Sequence, residues 1–156
     1  ENLNHDVLTV FLDMDSFNKD HSIKMFNKLL TEKLGNAIFS PNDLKSKCNN
    51  SNFLEESVQR CGWPYLSELK GKRIFVITTG DLKEYVESSD APIAFVASKP
   101  NKIIQDSVFM NSSFSDDEES FKTLKDEGQV LRFYHLNEEE IPKAKELGVN
   151  FIAIDF

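Results

Sequence analysis

Two acidic residues follow the first predicted strand. VLTVFLDMD, residues Val7–Asp15, is almost continuously apolar and β-branched before it turns acidic, which is typical of a strand buried on both faces. Hard cations such as Ca²⁺ prefer carboxylate oxygens, so Asp13 and Asp15 are candidate metal ligands. The alternative is a solvated acidic loop or a cap for the next helix. Two carboxylates alone would bind Ca²⁺ weakly, so other strands would have to contribute ligands.

Charged residues also occur at the ends of later predicted strands. Lys99 ends one of them and Arg132 lies on another, and in parallel α/β folds ligands gather at the carboxyl ends of strands. Lys99 is a candidate phosphate contact, although a lysine in this position is more often solvated. Arg132 and Tyr134 share one face of their strand, because side chains repeat every two residues, and His135 is expected to point away.

The chain ends in a complete β-α-β unit over residues 129–156, with Asp155 at the carboxyl end of its last strand. Such an acid can hydrogen-bond sugar hydroxyls or orient Arg132, and an internal Arg132–Asp155 salt bridge is the alternative. The ending resembles the closing segment of a barrel. A whole barrel typically needs about 250 residues, more than the 156 present here.

Size and composition indicate one globular α/β domain. Apolar residues make up 40% of the chain, thirteen phenylalanines supply core volume, and the predicted strands, five or six in number, alternate with helices. The net charge of −8 argues against nucleic acid as a partner. No apolar run is long enough for a transmembrane segment. The residues Ser40-Pro41-Asn42-Asp43 predict a turn. Trp63, next to Pro64, is expected to have a structural packing role in its turn.

Two cysteines and two sequons indicate a secreted or lumenal protein. The lumenal locations include the lysosome and the vacuole. A disulfide between Cys48 and Cys61 would close a short loop and stabilise the fold by roughly 3 kcal/mol, and two free thiols are the alternative. Asn49 and Asn111 each begin an Asn-x-Ser triplet that permits glycosylation.

Several segments resemble the PLC-like phosphodiesterase superfamily, in particular calcium-dependent phosphoinositide phospholipase C-like proteins. FSPNDL, Phe39–Leu44, is similar to the family's "tPddL" turn, and GWPYLSELKGK, Gly62–Lys72, is similar to its "GWPtLgeLrGK" segment. The latter leads into the strand RIFV, as in the family. The terminal GVNFIAIDF, 148–156, resembles the family's last strand, "GAxfvstDy".

The resemblance implies that residues 1–156 form one domain, approximately strands four to eight of a TIM-type (β/α)8 barrel. It implies that Arg132 and Tyr134 hold an inositol phosphate, and that Asp13 is a Ca²⁺ ligand. The family's two catalytic histidines lie on its first three strands, and His5, His21 and His135 show no paired spacing. The expected partners are therefore a companion N-terminal chain, or self-association, and a phosphoinositide or other phosphodiester substrate.

Two other interpretations remain open at this point. A degenerate, non-catalytic barrel would serve as a lipid-, carbohydrate- or protein-binding or structural module. A small flavodoxin-like protein is the second, but no phosphate-binding glycine loop occurs among the six glycines.

Overall fold

The protein contains one curled parallel sheet. A computed structural model describes residues 6–14, 23–79, 85–86, 92–100, 102–113 and 118–154. The six strands are β1 Leu8–Leu12, β2 Arg73–Ile77, β3 Phe95–Ser98, β4 Phe109–Ser113, β5 Val130–Leu136 and β6 Phe151–Ile154. Each strand pairs in parallel with the next along the chain. The predicted α/β class, part of a TIM-type barrel, is confirmed, and the sheet has one strand more than a span from the fourth to the eighth would contain.

Helices connect these strands on the outside of the curl and at its amino end. They are α1 Ile23–Leu34, α2 Pro41–Lys47, α3 Leu54–Cys61, α4 Glu118–Asp126 and α5 Ile141–Glu146. Within a further predicted helix, residues 81–89, only residues 85–86 are described, and both are helical. Among the described helices, none combines the length and the apolar character that crossing a bilayer requires.

The turn predicted at Ser40-Pro41-Asn42-Asp43 is instead the start of α2. The Ser40 hydroxyl accepts a hydrogen bond from the Asp43 backbone N–H at 3.2 Å, and the Asp43 carboxylate accepts one from the Ser40 N–H at 2.7 Å. Pro41 follows the cap, where its missing N–H costs no helical hydrogen bond. The same residue types serve turns and helix starts, and here the reciprocal cap favours the helix.

The curl of the sheet brings its first and last strands together inside. The Phe11 ring on β1 lies 4.9 Å from the Phe151 ring on β6 and 6.5 Å from the Phe109 ring on β4, measured between centroids. On the outer face, α1 packs against β1 to β3, and α4 and α5 pack against β4 to β6. Alternate side chains of each strand therefore face a shared concave interior.

The amino end of this interior is filled by α2, α3 and the segment after them. The Trp63 indole donates a hydrogen bond to the Gly128 carbonyl at 2.8 Å, and its ring packs 5.9 Å from Phe95 and 5.6 Å from Phe109. A disulfide joins Cys48 to Cys61, which confirms that prediction and ties α2 to α3. Trp63 thus has the structural position that the sequence predicted.

Asp106, just before β4, connects α2 and α3 to the sheet. Its carboxylate accepts a hydrogen bond from the Leu54 N–H at the start of α3 and pairs with Lys45 Nζ at 2.6 Å. Glu55 accepts a hydrogen bond from the Ser107 N–H at 3.1 Å. Burial, reinforced by the Asp106 charge, raises the pKa of the Glu55 carboxyl.

Candidate functional site

An open cleft of about 380 Å³ lies at the carboxyl end of the sheet. All six strands, or the residues that directly follow them, contribute side chains to it. The polar and charged groups that line it include Asp13, Lys99, Asn111, Arg132, Tyr134 and His135. Arg132 and Tyr134, both predicted to bind substrate, lie on β5. They line the same cleft as Asp13, which follows β1, and Lys99, which follows β3.

Arg132 lies half-buried in the cleft. Its guanidinium donates a hydrogen bond to Asn111 Oδ1, and its central carbon lies 4.9 Å from the Phe11 ring centroid and 5.8 Å from the Tyr134 ring centroid. Burial lowers the pKa of the guanidinium, and the neighbouring Tyr134 opposes that shift. Among the described residues, no carboxylate forms an ion pair with it. The cleft thus holds a partly desolvated cation whose partners in the described part of the chain are neutral.

His135 also lines the cleft, which corrects the expectation that it points away from Tyr134. The pairing of β5 with β6 shifts between Phe133, opposite Ile152, and Leu136, opposite Ile154. Two residues of β5 therefore face one of β6, which is a β-bulge. The Tyr134 and His135 rings lie 4.9 Å apart in an edge-on arrangement on the same side of the strand.

Asp13 is exposed directly after β1 and is held beside the end of β2. Thr79 donates a hydrogen bond from its hydroxyl to the Asp13 carboxylate, and the same hydroxyl accepts one from the Met14 N–H at 2.9 Å. Lys99 follows β3, and its backbone pairs with that of Lys102. The Asp13 side chain, after β1, and the Lys99 side chain, after β3, both line the cleft, so an acidic and a basic group face the same space.

Four residues considered at the sequence level lie outside the described residues. They are Asp15, Asp155, His5 and His21. A metal role for Asp15, a substrate role for Asp155 and an Arg132–Asp155 salt bridge all remain predictions.

The described residues do not form a complete calcium site. Ca²⁺ takes six to eight oxygen ligands, usually with several carboxylates. Asp13 supplies one carboxylate in the cleft, and within the described ranges no three acidic, histidine or cysteine side chains cluster as a metal site requires. A calcium site built on Asp13 would need ligands from other segments.

The two sequons have very different surroundings. Asn49 is exposed in the turn after α2, whereas Asn111 is 3% exposed and accepts the hydrogen bond from Arg132. Glycosylation stays a prediction at both, and exposure favours Asn49. Sequence reasoning missed Asn111 as a cleft residue. The signal was its place at the polar end of an otherwise buried strand, in register with Arg132.

Comparisons with known proteins support a phospholipase fold. No family model and no curated protein sequence matches the chain. A calcium-dependent phosphoinositol-specific phospholipase C from Pseudomonas sp matches with a TM-score of 0.81 and 18% identity, over 96% of this chain and 60% of that one. A Ca²⁺-dependent phosphatidylinositol-specific phospholipase C from Streptomyces antibioticus matches with a TM-score of 0.73 and 16% identity, over 98% of this chain and 65% of that one.

The similarity extends over almost the whole chain. The chain spans less than two thirds of the length of these solved structures. It therefore has the fold of part of a phosphoinositide-specific phospholipase C-like TIM barrel.

Proposed function

We propose that this chain forms the substrate-binding part of a phosphoinositide phospholipase C-like phosphodiesterase. The observation that carries the proposal is Arg132, a half-buried cation whose partners among the described residues are an amide and two aromatic rings. Removing such a charge from water costs stability unless an anion compensates it. A phosphate group of the substrate would supply that anion.

The distribution of charge supports an anionic ligand. The chain as a whole is acidic, with a net charge of −8. The described lining of the cleft nevertheless contains two basic side chains, Arg132 and Lys99, and one carboxylate, that of Asp13. One guanidinium group can donate two parallel hydrogen bonds to two oxygens of a phosphate group. The ring of Tyr134 offers an apolar face to a polyol such as inositol. Asp155, which follows Ile154 in the sequence, is proposed to contact hydroxyl groups of the same ligand.

Cleavage needs a general base and a general acid in addition to this binding surface. We place the two histidines that perform these roles on a further stretch of polypeptide, either a companion chain or a segment of the same protein. One would remove the proton from the inositol hydroxyl that attacks phosphorus, and the other would protonate the leaving alkoxide. The family's calcium is proposed to involve Asp13, with further ligands from that stretch. The disulfide supports a secreted or lumenal location.

A matched pair of arginine variants tests the role of the cleft. Isothermal titration calorimetry with myo-inositol 1-phosphate should show binding to the wild-type chain and weaker binding, by about 10- to 100-fold, to Arg132→Gln, because a charge-assisted hydrogen bond is lost. Arg60→Gln is the control, since Arg60 pairs with Glu56 on the exposed side of α3. Stability of Arg132→Gln should stay equal or rise, as a desolvated charge is removed.

The proposal fails if the wild-type chain does not bind the ligand, or if both arginine variants bind it equally well. Hydrolysis is tested separately, with phosphatidylinositol and the chain combined with the polypeptide that completes the barrel. Ligand binding without hydrolysis in that assembly would identify a binding module instead of an enzyme.

A further inference from the structure

His135 has an unusual backbone conformation for its place in the fold. Its φ is +58°, in the left-handed region, although it lies inside β5. The other described non-glycine residues with positive φ are Asn49, Asn50 and Asp106, which lie in turns or bends, whereas His135 lies within a strand. Conformations of this kind cost stability and are concentrated at ligand sites.

The bulge at His135 changes which side chains face the cleft. In a regular strand His135 would point to the outer face, and Leu136 would point into the cleft. With one extra residue opposite Ala153, Leu136 returns to the outer core, where it is 1% exposed, and His135 joins Tyr134 in the cleft. Bulges next to active sites often re-aim a side chain in this way.

The position of the imidazole suits contact with the ligand that Arg132 holds. The Tyr134 ring is 5.8 Å from the Arg132 guanidinium carbon and 4.9 Å from the His135 ring, and all three side chains line the same cleft. An imidazole can donate a hydrogen bond in either protonation state. We infer that His135 is a further binding residue, which donates a hydrogen bond to the phosphate group of the bound ligand. This inference depends on the proposed function of the cleft.

Glycine at position 135 separates binding from folding. Glycine adopts positive φ without steric cost, so His135→Gly should keep the bulge and melt within a few degrees of the wild type. It removes the imidazole, and affinity for myo-inositol 1-phosphate should fall about tenfold, the loss expected for one hydrogen bond to a charged group. The control is Asn49→Gly, at φ +55° in the turn after α2.

Nuclear magnetic resonance of the imidazole nitrogens provides a measurement that a purely structural role would not affect. The chain has three histidines. The signals that disappear in His135→Gly are those of His135. Those signals should shift when myo-inositol 1-phosphate is added.

The outcomes distinguish the inference from the function on which it depends. Weaker binding by His135→Gly alone, together with shifted His135 signals, supports the inference. Equal binding by the wild type and His135→Gly overturns it and leaves the proposed function intact. No binding by the wild type overturns both.

Discussion

The two ends of the sheet satisfy their polar and charged groups in opposite ways. At the amino end, Trp63 donates to Gly128, and Asp106 both caps α3 and pairs with Lys45. At the carboxyl end, the described partners of Arg132 are neutral, and His135 has a strained backbone. The first arrangement is expected to stabilise the fold. The second is expected to lower stability, which the proposed ligand-binding role of the cleft would explain.

This comparison gives a general test of the molecule. Changes at the amino end should alter the free energy of unfolding and leave ligand affinity unchanged in the folded protein. Changes at the carboxyl end, such as those proposed for Arg132 and His135, should weaken ligand affinity and leave the free energy of unfolding equal or slightly higher.

Trp63→Ala should produce the largest loss of stability. The indole packs against Phe95 and Phe109 and satisfies a backbone carbonyl, so its removal leaves both a cavity and an unpaired oxygen. We expect the free energy of unfolding to fall by about 4 kcal/mol in urea titrations. Tyr65→Ala, at a residue that is 78% exposed, should change it by less than about 0.5 kcal/mol. Similar losses for both variants would contradict this role of Trp63.

Removal of the disulfide should have the next largest effect. The Cys48→Ala/Cys61→Ala double variant opens a loop between residues separated by 13 positions. The free energy of unfolding should fall by about 3 kcal/mol. A reducing agent should lower the melting temperature of the wild type toward that of the variant and leave the variant unchanged. Loss of affinity for myo-inositol 1-phosphate in the folded variant would break the division between the two ends.

Glu55→Gln should have the smallest effect, and one that depends on pH. The raised pKa of Glu55 means that the folded protein binds this proton more tightly than the unfolded chain. Wild-type stability therefore falls as pH rises from the usual carboxyl value through the raised one. A neutral glutamine avoids this loss, so the stability difference in its favour should grow between pH 4 and pH 7. Glu119→Gln, at an exposed position on α4, reports the effect of removing one charge alone. A stability difference that does not change with pH would contradict the role of burial.

The sequence was sufficient to predict the strands and the cross-link. Long β-branched runs such as RIFVI have one stable arrangement in an α/β chain, and two cysteines allow one internal pairing. The start of α2 was predicted as a turn because Ser, Pro and Asp serve both structures. The reciprocal Ser40–Asp43 hydrogen bonds that decide between them depend on the backbone geometry of the folded chain.

The cleft was predicted in part, because its composition depends on strand pairing. Arg132 and Tyr134 follow from simple alternation, whereas His135 enters the cleft only through the register shift against β6. The apolar spacing of Leu131, Phe133 and Leu136 departs from alternation at that point, and this was the available signal. Asn111 was interpreted only as part of a sequon. Its burial could not be predicted, because it depends on neighbours that are distant in sequence.

The contact between Phe11 and Phe151 has a consequence for how the molecule forms. These rings come from the first and last strands, and nearly the entire polypeptide separates them. Pairings between such distant segments form late, since closing a long loop has an entropic cost. Phe11 also lies under the Arg132 guanidinium. During synthesis, the disulfide-linked helices can therefore assemble early, while the contact that joins β1 to β6 across the concave interior must wait until β6 has left the ribosome.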